Sequence, residues 1–144
     1  MSENYLIDGP VTTAVISSFL EKLAQNTDSG GHSFFLGQVR ADEVNGKKVR
    51  AIEYSAYENM VKAEADKIRE SVLSEFDDVK SIFIIHSTGV VKAGEVSLAV
   101  MVSAGHRKQA ILACSKAVEL IKERLPVWKK EIYEDNSHIW RENE

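Results

Sequence analysis

The chain contains very few cysteines and prolines. Its 144 residues include one cysteine, Cys114, which excludes an internal disulfide and every cysteine-rich zinc or iron–sulfur site. The two prolines, Pro10 and Pro126, do not form a linker, and no internal repeat or low-complexity tract divides the sequence. We therefore expect a single domain over residues 1–144 in a reducing, cytoplasmic compartment, with Cys114 as a small core residue.

Long hydrophobic runs and a large charge excess are also absent. Apolar residues make up 44% of the chain and the formal net charge is −4, and this composition excludes intrinsic disorder. The chain also lacks the excess of basic residues that is typical of dedicated nucleic-acid-binding proteins. Uncharged apolar runs stay well short of the roughly 20 residues that a membrane helix needs. The N-terminus does not resemble a targeting signal. We expect a soluble globular protein with neither a membrane nor a nucleic acid as partner.

Nucleotide-binding and metal-binding motifs are missing as well. Neither GxGxxG nor GxxxxGK[ST] occurs, so a Rossmann or P-loop nucleotide enzyme is not expected. The histidines His32, His86 and His138 lack the HxxxH or HExxH spacing of a metal site. We therefore expect no metal site and no bound cofactor.

Hydrophobic periodicity predicts three helices and four strands, followed by a polar tail with Trp128 and Trp140. Asp8 is expected to cap the first helix, with Pro10 in its first turn. The later elements are expected as strands over His32–Val39 and Val49–Ser55, a helix over Glu58–Phe76, strands over Val79–His86 and Glu95–Ser103, and a helix over His106–Leu125. Because strand pairs are interrupted by helices, we predict an α+β fold with a mixed or antiparallel sheet packed by three helices.

Positive charge is concentrated in residues 105–130. This segment has seven Lys or Arg side chains and two Glu, a net charge of +5, so the rest of the chain carries −9. A cationic segment on an acidic protein favours the binding of an anion. The alternative, which we favour for Lys108, Lys116 and Arg124, is that these are solvated side chains on a helix surface.

Lys122 differs from the other lysines in its place on the predicted helix. It lies at the edge of the apolar stripe, beside Val118. Partial burial and neighbouring cations would lower the pKa of its ammonium group, so that Lys122 could act as an acid, a base or a nucleophile near neutral pH. From the sequence alone, an equally good interpretation is a lysine whose aliphatic stem covers the edge of the core.

Three further candidate ligand-binding residues lie at the ends of predicted strands. His106 and Arg107 open a predicted helix, where free N–H groups and the helix dipole favour a phosphate or a carboxylate. The alternative is that Ser103 or Gly105 caps the helix and both side chains face solvent. Arg40 closes another apolar strand and opens a loop, which is a usual place for a ligand-binding cation.

Together, these motifs resemble the large, catalytic subunit family of molybdopterin synthase over about residues 31–140. The matching motifs are, in order, Phe35–Arg40, Glu53-Tyr54 with Tyr57 and Met60, Gly89 with Gly94-Glu95, His106-Arg107 with Ala110, Lys122, and Pro126–Glu131. Each motif is short, so their order and spacing carry the resemblance. Ser87 stands where many relatives have arginine. The resemblance implies the family's α+β fold of hammerhead type.

The resemblance also implies a sulfurtransferase of molybdenum-cofactor biosynthesis. In that family, cyclic pyranopterin monophosphate receives two dithiolene sulfurs and becomes molybdopterin. The sulfur donor is the C-terminal Gly-Gly thiocarboxylate of a small ubiquitin-like sulfur-carrier subunit. Large subunits of the family form a homodimer within a heterotetramer, and the same assembly is expected here.

Position by position, the resemblance assigns catalytic roles to Lys122 and Lys129. The residues that it assigns to substrate binding are Gln38, Val39, Arg40, His106, Arg107, Lys129, Lys130 and Glu131. A non-catalytic adaptor, which receives the carboxylate tail of a partner without turnover, is the alternative interpretation.

Overall fold

Residues 4–142, the part of the chain that this computed structural model describes, form one sheet and three helices. The helices are α1 (Thr13–Leu23), α2 (Glu58–Glu75) and α3 (Arg107–Arg124). The strands are β1 (Leu6–Asp8), β2 (Gly31–Gln38), β3 (Glu43–Val44), β4 (Lys47–Ala56), β5 (Val79–Lys92), β6 (Val96–Ala104), β7 (Val127–Tyr133) and β8 (His138–Glu142). Within residues 4–142, no helix is long and apolar enough to cross a membrane. The prediction about a targeting signal rests partly on residues 1–3, which lie outside the described residues, as does the chain end at Glu144.

The sheet is mixed but mostly antiparallel. Its strand order is β2-β6-β5-β4-β7-β8, with β1 parallel to β5 and β3 paired to β4. The first part of β5 pairs with β6, whereas residues 89–92 pair with β4. Strand β5 therefore joins the two halves of the sheet. These findings confirm the predicted α+β class.

Gly89 lies where β5 passes from one half of the sheet to the other. Its φ is +77°, a left-handed conformation that side chains disfavour. A Cβ at this position would also lie 2.7 Å from Asp8 Oδ1. The predicted strand end at His86 is therefore wrong, because Gly89 lets the strand bend and continue to Lys92. The turn to β6 follows at residues 93–95.

Helices cover both faces of the sheet. Core residues of α2 and α3 pack on one face, together with Val100 and Val102 of β6. Residues of α1 pack on the other face, against Ala99 and Met101. Strand β6 is consequently buried on both sides, as expected for a central strand between two helical layers. The prediction of three packed helices is confirmed.

The helix boundaries and faces differ in detail from the prediction. Helix α1 begins at Thr13, not next to Asp8, because Asp8 is the last residue of β1 and the chain then turns through Gly9. The expected apolar stripes included Met60 of α2 and Ile111 of α3, but both side chains are exposed. The buried positions are Val61, Ala65, Ile68 and Val72 in α2, and Ala110, Ala113, Cys114, Ala117, Leu120 and Ile121 in α3.

The predicted polar tail is instead a pair of strands. Strand β7 pairs with β4 through contacts such as Ser55 with Trp128, and β8 pairs with β7. Alternate residues Val127, Glu131 and Tyr133 are buried. The charged residues between them obscure the period of two that identifies a strand. Pairing also satisfies the backbone N–H and C=O groups along β4, which are far away in sequence.

Candidate functional site

A cavity of about 280 Å³ lies at the C-terminal end of α3, between the end of β2 and strands β4 and β7. Its lining consists of Phe35, Leu36, Gly37, Gln38, Val39, Arg40, Asp42, Ile52, Tyr54, Ser97, Lys122, Lys129 and Glu131. Six of the residues that the sequence assigned to a site are therefore close together. This size is near the lower end of the usual range for ligand pockets, ~300–1,000 Å³.

Lys122 projects into this cavity from the last turn of α3. The flanking Ile121 is fully buried, as is Leu125 just after the helix, so the end of α3 is tied to the core and Lys122 lies half-buried at its edge. Burial lowers the pKa of the Lys122 ammonium group, and the positive charge of Lys129 lowers it further. The partial burial predicted from the helical wheel is confirmed. A lysine in this setting is able to exchange a proton with a ligand closer to neutral pH.

The two lysines of β7 lie on opposite faces of the strand. Lys129 lines the cavity with Lys122. Lys130 points the other way, with its Nζ 3.2 Å from Glu53 Oε1 and 5.3 Å from the ring centroid of Trp140. Because side chains alternate along a strand, two adjacent lysines do not share a pocket. The structure thus does not bring Lys130 to the cavity of this chain.

Gln38, Val39 and Arg40 enter the lining at an irregularity in the sheet. The register of β2 against β6 shifts between Gly37 and Gln38. A bulge of this kind changes the direction of the following side chains. Val39 is buried, whereas Gln38 and Arg40 are exposed, and Arg40 Nε lies 3.3 Å from Asp42 Oδ1. An exposed pair like this one contributes little to stability, so the guanidinium of Arg40 is free to exchange Asp42 for a ligand.

Glu131 is a buried carboxylate in the cavity wall. The Tyr133 hydroxyl donates a hydrogen bond of 3.1 Å to Glu131 Oε1, and the guanidinium of Arg141 forms an ion pair with the same oxygen. The carboxylate also raises the pKa of Arg141. Arg141 is therefore attached to the cavity through Glu131. Sequence reasoning gave it no role, because the contact depends on the pairing of β7 with β8.

Tyr54 and Ser97 are two further lining residues that the sequence did not assign to the site. The Tyr54 hydroxyl donates a hydrogen bond of 3.1 Å to Ser97 Oγ. Burial raises the pKa of Tyr54. The ring of Tyr54 packs edge-on against the buried His86, with centroids 5.0 Å apart. The available sequence signal for Ser97 was a hydroxyl in a strand whose other residues, apart from Ser103, are apolar.

His106 and Arg107 lie at the other end of α3. Lys122 lies fifteen positions after Arg107 along α3, about 22 Å at ~1.5 Å per residue. The backbone N–H of His106 donates to Asp78 Oδ2 at 2.7 Å, and its Nδ1 is 3.0 Å from the same oxygen. The anion at this helix N-terminus is thus the chain's own carboxylate. The basic segment 105–130 is not one continuous patch within a single chain.

Metal ligands are not grouped in the part of the chain that the structure describes. Among residues 4–142, no cluster of three or more His, Cys, Asp or Glu side chains is placed to hold a metal ion. The cavity combines three cationic side chains, Lys122, Lys129 and Arg40, with the hydroxyls of Tyr54 and Ser97, and its two carboxylates, Asp42 and Glu131, are each paired with an arginine. Such a lining fits an anionic ligand that is bound by charge and oriented by hydrogen bonds.

A second groove, of about 320 Å³, has a different character. It is lined by Ser55, Ala56, Tyr57, Trp128 and Trp140. The rings of Tyr57 and Trp128 meet edge to face at 5.8 Å. Because its lining has no carboxylate, amine or imidazole, this groove lacks the groups for proton transfer near neutral pH.

Comparison with known proteins shows relatives along most of the sequence. A model of the MoaE protein family matches residues 11–124. A molybdopterin synthase catalytic subunit from Dictyostelium discoideum is 41% identical over 124 residues, which is 85% of this chain and 78% of that protein. One from Drosophila pseudoobscura pseudoobscura is 39% identical over 144 residues, 99% of this chain. The chain spans 38% of the length of that Drosophila relative.

Solved structures share the fold. Molybdopterin synthase from Staphylococcus aureus superposes with a TM-score of 0.84 at 29% identity, covering 98% of each chain. A complex of subunits 1 and 2 of molybdopterin-converting factor from Helicobacter pylori gives a TM-score of 0.78 at 24% identity, covering 94% of this chain and 87% of that one. At this identity, the second match bears on the fold alone. The family match over residues 11–124, the Dictyostelium relative and the shared fold together show that this chain belongs to the MoaE protein family.

Proposed function

We propose that this chain is the catalytic subunit of a molybdopterin synthase. It would transfer two sulfurs to cyclic pyranopterin monophosphate, forming the dithiolene of molybdopterin. The observation that carries the proposal is the half-buried Lys122, whose pKa is lowered in a cavity that it shares with Lys129 and Arg40. The names of the relatives at 41% and 39% identity support the same activity.

The chemistry of this reaction suits the cavity. The pterin substrate carries a cyclic phosphate and the sulfur donor ends in a thiocarboxylate, so two anions must meet in one place. We assign proton transfer and charge stabilisation to Lys122. Lys129 would stabilise the carboxyl terminus of the donor, while Arg40, Gln38 and Val39 would contact the pterin phosphate. Hydrolysis of the acyl species left by each transfer would free the site for the next donor.

The proposed donor is a small ubiquitin-like sulfur-carrier subunit with a C-terminal Gly-Gly thiocarboxylate. The Helicobacter pylori structure is itself a complex of two subunits of molybdopterin-converting factor. We place the reaction in the cytoplasm, which agrees with the free, buried thiol of Cys114. No bound cofactor is included in the proposal.

The proposed assembly is a homodimer of this chain within a heterotetramer. His106 and Arg107 are about 22 Å along α3 from Lys122, so one chain does not supply both to one substrate. A second copy would bring its own His106 and Arg107 to the cavity. We also propose that Lys130 and Glu131 bind substrate, as expected from the resemblance, with Lys130 on the opposite face of β7 from Lys129 and Glu131.

The decisive experiment combines the chain with thiocarboxylated small subunit and cyclic pyranopterin monophosphate and measures dithiolene product. Lys122→Ala should lower the rate at least 100-fold, because general acid–base groups contribute about 10²–10⁴-fold. Lys116→Ala, an exposed lysine on the same helix, is the matched control and should keep full activity. Near-normal turnover by Lys122→Ala would refute its role. Tail binding without product by the wild-type chain would favour the adaptor function.

The shared site is tested by mixing two inactive variants. Lys122→Ala and Arg107→Ala each leave one half of a composite cavity intact. If two copies contribute to one site, mixed dimers should recover part of the wild-type activity, because one of their two sites has both residues. Recovery is measured after subunit exchange at equal concentrations. Activity no higher than that of the separate variants would contradict the composite site.

A further inference from the structure

Tyr54 and Ser97 form a hydroxyl pair that is built into the wall of the cavity. Both residues are 7% exposed and both line the space that Lys122 occupies. Their hydrogen bond is 3.1 Å long and joins β4 to β6. These two strands do not pair with each other, because β5 lies between them in the sheet. Two buried hydroxyls joined across this distance indicate a defined polar position in the wall.

The direction of this hydrogen bond determines what the pair offers to a ligand. The Tyr54 hydroxyl donates its hydrogen to Ser97 Oγ. A serine hydroxyl has one hydrogen of its own. Among residues 4–142, the side-chain partner of Ser97 is the Tyr54 hydroxyl, and in that contact Ser97 Oγ accepts, which leaves the Ser97 hydrogen for a ligand. The pair therefore presents one unused donor at the cavity surface.

The surroundings hold Tyr54 in place. The His86 ring meets the Tyr54 ring edge-on, at an interplanar angle of 78°. His86 is fixed in turn by a contact of 2.8 Å between its Nδ1 and the Ser87 carbonyl oxygen. Because burial raises the pKa of Tyr54, its hydroxyl keeps its hydrogen throughout the neutral range. The Tyr54 hydroxyl is therefore a protonated donor that is already oriented toward Ser97 Oγ.

We propose that Ser97, oriented by Tyr54, donates a hydrogen bond to an anionic oxygen of the ligand that binds in the Lys122 cavity. The ammonium groups of Lys122 and Lys129 supply attraction without strong direction, whereas a fixed neutral donor selects one orientation of the anion. The identity of the anion rests on the proposed function: either the phosphate of the pterin or the terminal carboxylate group of the sulfur carrier. Ser97 is a ligand-binding residue and Tyr54 is a positioning residue.

Calorimetric binding of two probes tests this proposal and separates the two sources of the anion. The probes are cyclic pyranopterin monophosphate and the small subunit with an ordinary C-terminal carboxylate. Ser97→Ala should weaken the binding of one probe about 10-fold, as expected for a lost hydrogen bond to a charged group. Ser97→Thr keeps a hydroxyl and should restore most of the affinity. The probe that is affected identifies the anion.

Tyr54→Phe distinguishes orientation from direct contact. It should weaken the same probe about 3-fold, and the double variant with Ser97→Ala should be no weaker than Ser97→Ala alone, because Tyr54 acts through Ser97. Tyr5→Phe is the matched control: it removes a buried hydroxyl bonded to Asp66, which does not line the cavity, and should leave both affinities unchanged. Additive losses in the double variant would overturn the positioning role.

Turnover by the wild-type chain tests the proposed function separately. If the wild-type chain makes no product, inorganic phosphate replaces both probes, and Ser97→Ala should still weaken its binding. Circular dichroism checks the fold of each variant. If Ser97→Ala does not fold, Ser97→Cys, which keeps the volume but is a weak donor, takes its place. Unchanged affinity for every probe in a folded Ser97 variant would overturn the inference.

Discussion

The buried imidazole of His86 should make the stability of this protein depend on pH. His86 is 1% exposed, and its neighbours include the ring of Tyr54 and the positive charge of Lys122. Burial, with a smaller contribution from the positive charge of Lys122, lowers the pKa of His86 from 6.5 to about 4, against an opposing contribution from the Ser87 carbonyl. The native protein therefore holds His86 neutral where the unfolded chain protonates it.

The sign and size of the effect follow from this difference. Between pH 6.5 and about 4 the unfolded state binds the additional proton, so stability is fully present above pH 6.5 and is lost as the pH falls to about 4. A tenfold difference in proton affinity corresponds to about 1.4 kcal/mol. The loss attributable to His86 is therefore ~3 kcal/mol, a large part of the ~5–15 kcal/mol that stabilises an ordinary domain.

Urea unfolding of wild type and His86→Leu at pH 7 and pH 4 measures this contribution. Other groups titrate in both proteins, so the informative quantity is the difference in unfolding free energy between them. At pH 7 the variant is less stable because packing is lost. At pH 4 the wild type should lose ~3 kcal/mol relative to the variant. The exposed His32→Gln is the control and should follow the wild type. An equal difference at both pH values would refute the reasoning.

The remaining tests concern the cavity charges, the bend in β5 and the core under α2. Lys129→Met should raise the pKa of Lys122, because a neighbouring positive charge is lost. A titration followed by NMR of ¹³C-labelled lysine side chains measures this pKa, and an unchanged value would contradict the coupling between Lys122 and Lys129. Gly89→Ala should destabilise the fold more than Gly46→Ala in urea titrations, since both have left-handed φ but only Gly89 lacks room for a Cβ. In the same titrations, Ile68→Ala should cost about 2–5 kcal/mol, because Ile68 is fully buried, and a loss below 1 kcal/mol would contradict its place in the core.

Local periodicity was sufficient to predict the helices and the central strands. The apolar period of α3 placed Lys122 at the edge of the core, where the structure has it. Strands β7 and β8 were not predicted, because Lys129 and Lys130 interrupt the apolar alternation. Strand β7 is held by pairing with β4, whose residues are more than seventy positions away in sequence, and β8 pairs in turn with β7. Long-range pairing of this kind leaves no local pattern.

The same distinction applies to the cavity. Lys122, Lys129 and Arg40 were each selected from local features and from the resemblance, and they are together in the structure. Tyr54 was noted only as part of the Glu53-Tyr54 motif, and Ser97 is one of two serines in β6, so no local feature assigned either residue to the site. Their hydrogen bond exists because β4 and β6 face the same cavity from different parts of the sheet.

Local patterns and motifs along the chain were enough to predict the fold class, the family and a basic segment in an acidic protein. Helical and strand periods express which face of each element is apolar, and those periods are local. Only the folded arrangement of the chain shows which of the cationic side chains share a cavity. Strand alternation separates Lys129 from Lys130, and the rigid length of α3 keeps Arg107 about 22 Å from Lys122. Those two separations arise within single elements, whereas the shared cavity of Lys122, Lys129 and Arg40 depends on how α3, β7 and the end of β2 are arranged in space, which a charge count along the chain does not contain.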